Sequence, residues 1–387
     1  PLSPVEIDPD PPFPTGVFRP RAGTDVRKLT SGIDLKVTLN TERGGVASVE
    51  RERGDSYTAE YTLNITVPQA AKTLEELEEV NPRLGEFLPG LETLLGSAQV
   101  SPWYEKLYSN KTARVKNNVA KLSELVSRHN FYDCETMLNL RDKGSGRRAF
   151  LLQAEMDVVS DGSDGDRLPS MPDEIVNSTH YQPFTSYAWK KTGKVPNPMV
   201  AGWEQRIRNA QAELGKADTT DARKTWLRER MTMLRQGIAD MKARSFLIAE
   251  YDPFIVIPTH MVLDREDPYA PNVGDYAVVI HEGKLYPAIV GDAGPTYKVG
   301  EASLRMAREI NANSSPYRRP VSDLTVTYLV FPRSSDSPKR APDYAHWKKR
   351  CGELLEEIGG LGTGTELHDW NDLLPSAEDE GGEEEAG

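Results

Sequence analysis

Two acidic residues on either side of a short turn are the clearest candidates for chemistry in this sequence. Asp292 follows an apolar segment that ends at Val290, and Glu301 comes after a turn at Gly294 and Pro295. Two carboxyl groups that face each other across a cleft can hydrolyse a glycosidic bond, because one protonates the leaving oxygen and the other activates water or attacks the sugar. A structural explanation also stays open, since aspartates are common in turns and acids are favoured in the first turn of a helix.

The elements that must position this pair are short strands. Apolar patterns predict strands over 149–159, 246–257, 276–280, 284–290 and 324–331. We expect Asp292 at the mouth of the strand that ends at Val290, and Glu301 at the start of a helix over 302–311. Strands joined by Gly and Pro turns predict a closed or nearly closed β-barrel.

A helical hairpin is predicted within 196–244, because apolar residues recur there at spacings of three and four. The first series is Trp203, Ile207, Ala210 and Leu214, and the second is Leu227, Met231, Leu234, Ile238 and Met241. We expect the methionines and tryptophans of this segment to form core rather than a ligand site. A protein partner could bind through this hairpin or through the N-terminal region.

The N-terminal part predicts a mixture of strands and helices without a chemical motif. Alternating apolar residues predict strands over 33–39 and 57–67, Thr73 and Glu76 form a capping-box pattern, and 113–129 has a helical apolar face. The predicted division of the chain is an extended arm at 1–30, an α+β accessory region at 31–145, a core at 146–195 and 245–335, the hairpin at 196–244, a C-terminal helical segment at 336–375 with a helix over 346–358, and an acidic disordered tail at 376–387.

Composition excludes several functional classes. The formal net charge of −12 argues against a nucleic-acid partner. The sequence has no apolar run of 18 or more residues, so no membrane span is predicted. Six histidines and two cysteines show no paired metal spacing, so no metal or other cofactor is predicted. Cys134 and Cys351 could form one disulfide. The acidic loop 161–166 lacks the order of an EF-hand, and we expect a solvated turn there.

Several segments occur in an order that suggests a family. They are Met156-Asp157 with the acidic loop 161–166, QPFTSY at 182–187, PFIVIP at 253–258, VGDYAVV at 273–279, YPAIVGD at 286–292, VGEAS at 299–303 and TYLVFP at 327–332. Together they resemble the core of the family 75 glycoside hydrolases, the chitosanase group. The resemblance covers about 148–195 and 246–333. It implies a polysaccharide substrate and endo-hydrolysis of β-1,4-linked glucosamine polymers with inversion.

The resemblance also implies roles for individual residues. The two essential carboxylates fall on Asp292 and Glu301; we favour Glu301 as general acid and Asp292 as base, with the reverse open. Substrate contacts are expected from Asp157, Gln182, Thr185 and Tyr187. Further carboxylates along the cleft, such as Asp157, would favour protonated amino sugars. Asp157 could equally be a turn acid and Tyr187 a packed core residue.

The predicted fold class is α+β, with a compact, double-psi-like β-barrel core. Three features depart from the family pattern: the hairpin replaces a short link, about 145 residues precede the core, and Ala293-Gly294-Pro295 stands where fungal members have Thr-Asn after the aspartate. Peptidoglycan is therefore an alternative substrate, and a non-catalytic carbohydrate-binding or assembly protein is an alternative function. The given sequence contains no signal peptide from which a location could be read, and the expected location is extracellular or periplasmic.

Overall fold

The computed structural model describes residues 41–56, 58, 62–120 and 126–375. The predicted arm at 1–30, the strand at 33–39 and the tail at 376–387 lie outside these residues. The chain divides into two units, Pro1–Gln69 with Tyr108–Tyr132, and Ala70–Leu107 with Asp133–Gly387. The candidate site residues Asp157, Asp292 and Glu301 all belong to the second unit. The predicted domain boundaries themselves stay a prediction.

Ten strands are found in the described part of the chain. They are Gln99–Val100 (β1), Cys134–Arg141 (β2), Arg148–Val159 (β3), Ala188–Lys190 (β4), Arg244–Phe246 (β5), Phe254–Pro258 (β6), Tyr276–His281 (β7), Lys284–Gly294 (β8), Glu301–Ser303 (β9) and Val321–Val330 (β10). The short strands β4 and β5 pair with each other outside the main sheet.

Six strands close into a barrel in the order β3–β10–β7–β8–β6–β9, with β9 returning to β3. The β6–β8 and β3–β9 pairs are parallel, and the other pairs of the ring are antiparallel. β2 pairs with the first part of β3 and carries β1 on its outer edge. The α+β class with a β-barrel core is confirmed. β2 was not anticipated, although its residues are mostly buried.

Twelve helices lie in the same described residues. They are Ala47–Glu52 (α1), Leu74–Val80 (α2), Leu84–Phe87 (α3), Leu91–Leu95 (α4), Pro102–Ala120 (α5), Arg128–Phe131 (α6), Asp173–Val176 (α7), Met199–Leu214 (α8), Asp221–Ala243 (α9), Thr259–Val262 (α10), Leu304–Ile310 (α11) and Tyr344–Glu356 (α12). No helix in this part of the chain is long and apolar enough to cross a membrane.

The barrel strands share an apolar core with α12. Val278, Ile280 and Ile289 from β7 and β8 belong to the same buried cluster as Trp347 and Leu354 from the helix. Each such side chain contributes roughly 1.5–3 kcal/mol when fully buried. Cys351 from α12 and Cys134 from β2 are buried and are not disulfide-bonded, so the disulfide that the sequence allowed does not form.

The two predicted helices of the hairpin are present as α8 and α9. Thr220 caps α9 by accepting a hydrogen bond from the Arg223 amide at 3.3 Å. Their facing sides are buried, as the three- and four-residue spacing predicts, in clusters that include Met199, Trp203, Leu234, Ile238 and Met241, and Ala210, Leu227 and Met231. A protein partner for this hairpin stays a prediction.

Two predicted strands are wrong and one helix is displaced. The single strand predicted over 246–257 is two strands, β5 and β6, because residues 247–253 form turns between them. Residues 62–67 form no strand, and Leu63 and Val67 of the alternating pattern are exposed, so no partner strand or core uses their periodicity. Residues 57 and 59–61 lie outside the described part. The helix predicted over 113–129 begins earlier, at Pro102, whereas the capping box of Thr73 and Glu76 forms as predicted.

Candidate active site

Asp292 lies inside β8, not after it. The strand continues to Gly294 because this end of β8 pairs in parallel with β6, where Asp292 stands opposite Val256. The Asp292 Oδ1 accepts hydrogen bonds from the Ser186 amide at 2.9 Å, from the Ser186 hydroxyl and from the Ala293 amide at 2.8 Å. Burial nevertheless raises the pKa of Asp292 above its usual value, against these hydrogen bonds.

Glu301 begins a strand, and the expectation that it begins a helix is wrong. It pairs with Asp157 of β3 on one side and with Val256 of β6 on the other, so hydrogen bonds on both edges keep it extended. Helix α11 starts at Leu304, where the Ser303 hydroxyl accepts the Met306 amide at 3.3 Å. Glu301 is only 8% exposed.

Gly300 brings Glu301 against β3 as no other residue could. Its φ angle is +77°, and a Cβ atom there would lie 2.1 Å from the carbonyl oxygen of Glu155. The Gly300 carbonyl accepts a hydrogen bond from the Asp157 amide at 2.8 Å. The buried Tyr328 hydroxyl donates to the carbonyls of both Glu155 and Gly300, at 2.9 and 3.2 Å. These contacts fix the start of β9.

A lysine lies between two of the carboxylates. The Lys298 Nζ is 2.8 Å from the Glu301 Oε1 and 2.5 Å from the Asp157 Oδ2. Burial disfavours its charge, but the charges of Glu301 and Asp157 outweigh this and raise the pKa of Lys298. Burial would likewise raise the pKa of Asp157, but Lys298 and Arg319 lower it.

Arg319 is a second cation in the site and contacts two acids of β3. Its guanidinium lies 3.6 Å from Asp157 and 2.5 Å from Glu155. Burial is the main cause that raises the pKa of Glu155 to about 8. The site therefore contains buried carboxyl groups next to two cations, Lys298 and Arg319.

Asp161 is a third acid beside the pair. Burial, followed by the negative charges of Asp292 and Glu301, raises its pKa to about 6, against a hydrogen bond from the Gln182 amide. Two backbone hydrogen bonds hold its loop, from the Ala249 amide to the Asp161 carbonyl at 2.9 Å and from the Gly162 amide to the Gln182 carbonyl at 2.8 Å.

The other predicted contact residues lie on the segment that supports Asp292. Gln182 is exposed, whereas Thr185 and Tyr187 are buried on either side of Ser186. The Thr185 hydroxyl faces backbone carbonyls, and the Tyr187 hydroxyl donates to the carbonyl of Arg340 at 3.1 Å. Substrate contact by Gln182, Thr185, Tyr187 or Asp157 stays a prediction.

The acidic loop 161–166 is not the solvated turn that we expected. Asp164 is buried and pairs with Arg167 at 2.6 Å, and Asp166 pairs with Lys191. Arg167 also binds Asp252 at 2.8 Å, so the loop is anchored by buried ion pairs.

Comparison with known proteins decides the family. Residues 156–364, which are 209 of the 387, match the model described as fungal chitosanase of glycosyl hydrolase group 75. The chain belongs to this family. It is therefore a glycoside hydrolase of a chitosanase family, and the predicted enzyme class is confirmed. No curated protein matches the sequence.

The sequence did not identify three residues that lie near Asp292 and Glu301 in this glycoside hydrolase family 75 core. Ser186 lies inside a quoted segment, so its position could have been noticed. Lys298 lies three residues before Glu301, a spacing that carries no signal in a loop. Asp161 was noticed only as a loop acid, because its approach to Asp292 and Glu301 depends on contacts between distant segments.

Proposed function

We propose that this protein hydrolyses β-1,4 linkages of chitosan, with Asp292 and Glu301 as its two working carboxyl groups. The observation that carries the proposal is the register of three strands. Both acids stand opposite Val256, on the strands that flank β6. Side chains at paired positions project from the same face of a sheet, so the two carboxyl groups share one side with a single strand between them.

The separation of the pair supports an inverting mechanism. Neighbouring strands are about 4.8 Å apart, so the two Cα atoms are separated by about 10 Å. Glu301 leans towards β8, since a Cβ atom on Gly294 would lie 2.8 Å from its Oε2. We therefore expect the carboxyl groups to be about 6–9 Å apart, close to the roughly 6.5–9.5 Å that leaves room for a water molecule in inverting enzymes.

The two environments suggest which carboxyl group holds the proton. Burial raises the pKa of Asp292, so this group keeps its proton to a higher pH than an exposed aspartate, as a general acid must. Glu301 is ion-paired with Lys298 through its Oε1, which leaves Oε2 for the water that a general base must bind. We therefore propose Asp292 as acid and Glu301 as base, the reverse of the assignment favoured from the sequence.

The surrounding segment supports binding of the polymer. We propose that the exposed Gln182 contacts sugar, and that the buried Thr185 and Tyr187 act by holding Ser186 against Asp292. The Tyr187 amide donates to the Gly291 carbonyl at 2.8 Å, which attaches this segment to β8. The carboxylates favour a cationic amino sugar. Action outside the cytoplasm stays a prediction.

The test is release of reducing ends from chitosan, chitin and peptidoglycan by the wild type, Asp292→Asn and Glu301→Gln. We expect chitosan to be cleaved by the wild type, and each variant to lose about 10²–10⁴-fold in kcat, the usual share of a general acid or base. Asp218→Asn and Glu174→Gln, which change exposed acids, should retain activity. Full activity of Asp292→Asn or Glu301→Gln would exclude the pair as the catalytic carboxyl groups. A preference for peptidoglycan would show that peptidoglycan, and not chitosan, is the substrate.

The roles are separated by two further measurements. A substrate with a leaving group that needs no protonation should restore the acid variant, Asp292→Asn, but not Glu301→Gln. Added azide should restore Glu301→Gln, because a small anion can replace the activated water. The opposite pattern would return the assignment to Glu301 as acid. NMR of the first product should show the α-anomer; a β-anomer would exclude inversion.

A further inference from the structure

Lys298 forms ion pairs with both Glu301 and Asp157, and neither the sequence nor the family match assigns it a role. Its ammonium is bound by Glu301 at 2.8 Å and by Asp157 at 2.5 Å, and its side chain is 18% exposed. Moving an ammonium group out of water is unfavourable unless opposite charges and hydrogen bonds replace the hydration. The two carboxylates supply that replacement, so the position of Lys298 depends on both.

The contact with Lys298 distinguishes the two oxygens of Glu301. Oε1 accepts the hydrogen bond from Nζ. Oε2 points to Gly294, two residues beyond Asp292 on β8. The oxygen that Lys298 leaves uncovered is thus the one nearer the strand that carries the other working carboxyl group. A general base needs one such oxygen aimed at water in the space between the two groups.

Asp157 holds the other side of the lysine. Its Oδ1 accepts the Val158 amide at 2.8 Å, and its Oδ2 faces Lys298 and the Arg319 guanidinium at 3.6 Å. Because Asp157 and Glu301 are paired in register, the two carboxylates are held side by side with the ammonium between them.

The ionisable groups around this ion pair come from every adjoining element. They are Glu155 and Asp157 of β3, Asp161 in the loop after β3, Asp292 of β8, Arg319 before β10 and Tyr328 of β10. Glu155, with a pKa of about 8, and the proposed acid Asp292 keep their protons, so loss of the Lys298 charge would leave Glu301 beside the anions Asp157 and, above about pH 6, Asp161. Like charges favour the protonated form of a carboxyl group.

We propose that Lys298 is a positioning residue for the proposed hydrolysis. It binds the Oε1 of Glu301 and leaves Oε2 directed towards β8 and Asp292, and Asp157 acts by holding Lys298 rather than by contacting the sugar. This inference rests on the proposed function of the Asp292 and Glu301 pair.

The first test replaces Lys298 in the full chain. For Lys298→Met we expect kcat on chitosan to fall about 10- to 100-fold, which is part of the 10²–10⁴-fold that a general base supplies, with KM changed by less than about threefold. The acidic limb of the kcat profile should move to higher pH by roughly one unit or more, because a cation within 4 Å has been removed. Lys298→Arg should recover part of kcat and return the limb towards that of the wild type.

Lys191→Met is the matched control, because Lys191 is also a buried lysine in an ion pair, with Asp166. We expect it to lower the melting temperature but to leave the pH profile of the folded protein unchanged. A Lys298→Met variant with wild-type kcat and pH profile would overturn the inference. Loss of activity in Lys298→Met without a change in the pH profile would also overturn it. That is the behaviour expected of the control, and it would indicate a purely structural role.

A second variant tests the orientation of Oε2 independently. Gly294 has no positive φ angle, so alanine is not strained there, but its Cβ would displace the Glu301 carboxylate. We expect Gly294→Ala to lower kcat at least about tenfold with a near wild-type melting temperature. Unchanged kcat would exclude the orientation. If Glu301→Gln itself stays active, the proposed function fails; if Glu301→Gln is inactive but Lys298→Met is not, only this inference fails.

Discussion

The carboxylate site on the barrel and the helical hairpin α8–α9 are stabilised by different kinds of contact. In the hairpin, buried residues such as Leu234, Ile238 and Met241 follow each other at spacings of three and four along one helix. In the site, Glu301 is held by β3, β6 and Lys298. The hairpin is built from local periodicity and apolar burial, and the site from charges that distant segments bring together.

This difference predicts how each region responds to substitution. A buried charge without its partner destabilises a protein by several kcal/mol, so the groups of the site depend on each other. The outer face of the hairpin contacts solvent, and single changes there should have small effects. Three substitutions test this contrast, in order of decreasing effect.

Within the site, the largest effect is expected from Gly300→Ala. The new Cβ would collide with the Glu155 carbonyl and would also require a left-handed backbone. We expect the free energy of unfolding to fall by roughly 2–5 kcal/mol, measured by urea denaturation, together with loss of chitosan hydrolysis. Gly364→Ala is the control, since its φ angle is +76° but nothing lies within 4 Å of its Cβ, and it should cost about 1–2 kcal/mol. Equal losses in both variants would show that the Glu155 contact is unimportant.

A smaller effect of opposite sign is expected from Asp161→Asn. The pKa of Asp161 in the folded protein, about 6, is above the roughly 3.9 of an unfolded chain, so its ionised form destabilises the fold. The variant should therefore be more stable than the wild type at pH 7, by up to about 3 kcal/mol. The gain should shrink as the pH falls from 6 to 4 and vanish below 4. Urea denaturation at several pH values measures this, with Asp218→Asn as control. A stability gain that does not depend on pH would contradict the explanation.

The smallest effect is expected on the outer face of the hairpin. Trp226 is 49% exposed, and the Arg223 guanidinium lies 4.3 Å from its ring. Trp226→Ala should cost about 0.5–1 kcal/mol, the value of an exposed cation–π contact, and leave hydrolysis unchanged. Trp203→Ala, on the buried face, should cost roughly 3–5 kcal/mol. Loss of activity in a stable Trp226→Ala variant would instead give this face a role in binding the polymer.

Much of the fold was predictable because it depends on local pattern. The capping box at Thr73, the two helices of the hairpin and the barrel strands follow from spacings that are visible in a few turns or residues. The described part of the strand predicted over 57–67, residues 62–67, is not a strand, because alternation specifies a strand only when a partner strand and a core use it. The helix predicted to begin at Glu301 was wrong because Glu301 has partner strands on both sides. These neighbours across the sheet override the helix-like sequence that follows it.

The sequence by itself determined the family segments, the barrel class and the candidate pair Asp292 and Glu301. Only the tertiary structure decided that both acids stand opposite Val256, that Asp161 approaches them and that Lys298 lies between Asp157 and Glu301. The physical reason is that strand register and the burial of charge are properties of contacts between distant segments. Residue type and spacing fix which groups can ionise, and the packed barrel fixes which charges they meet.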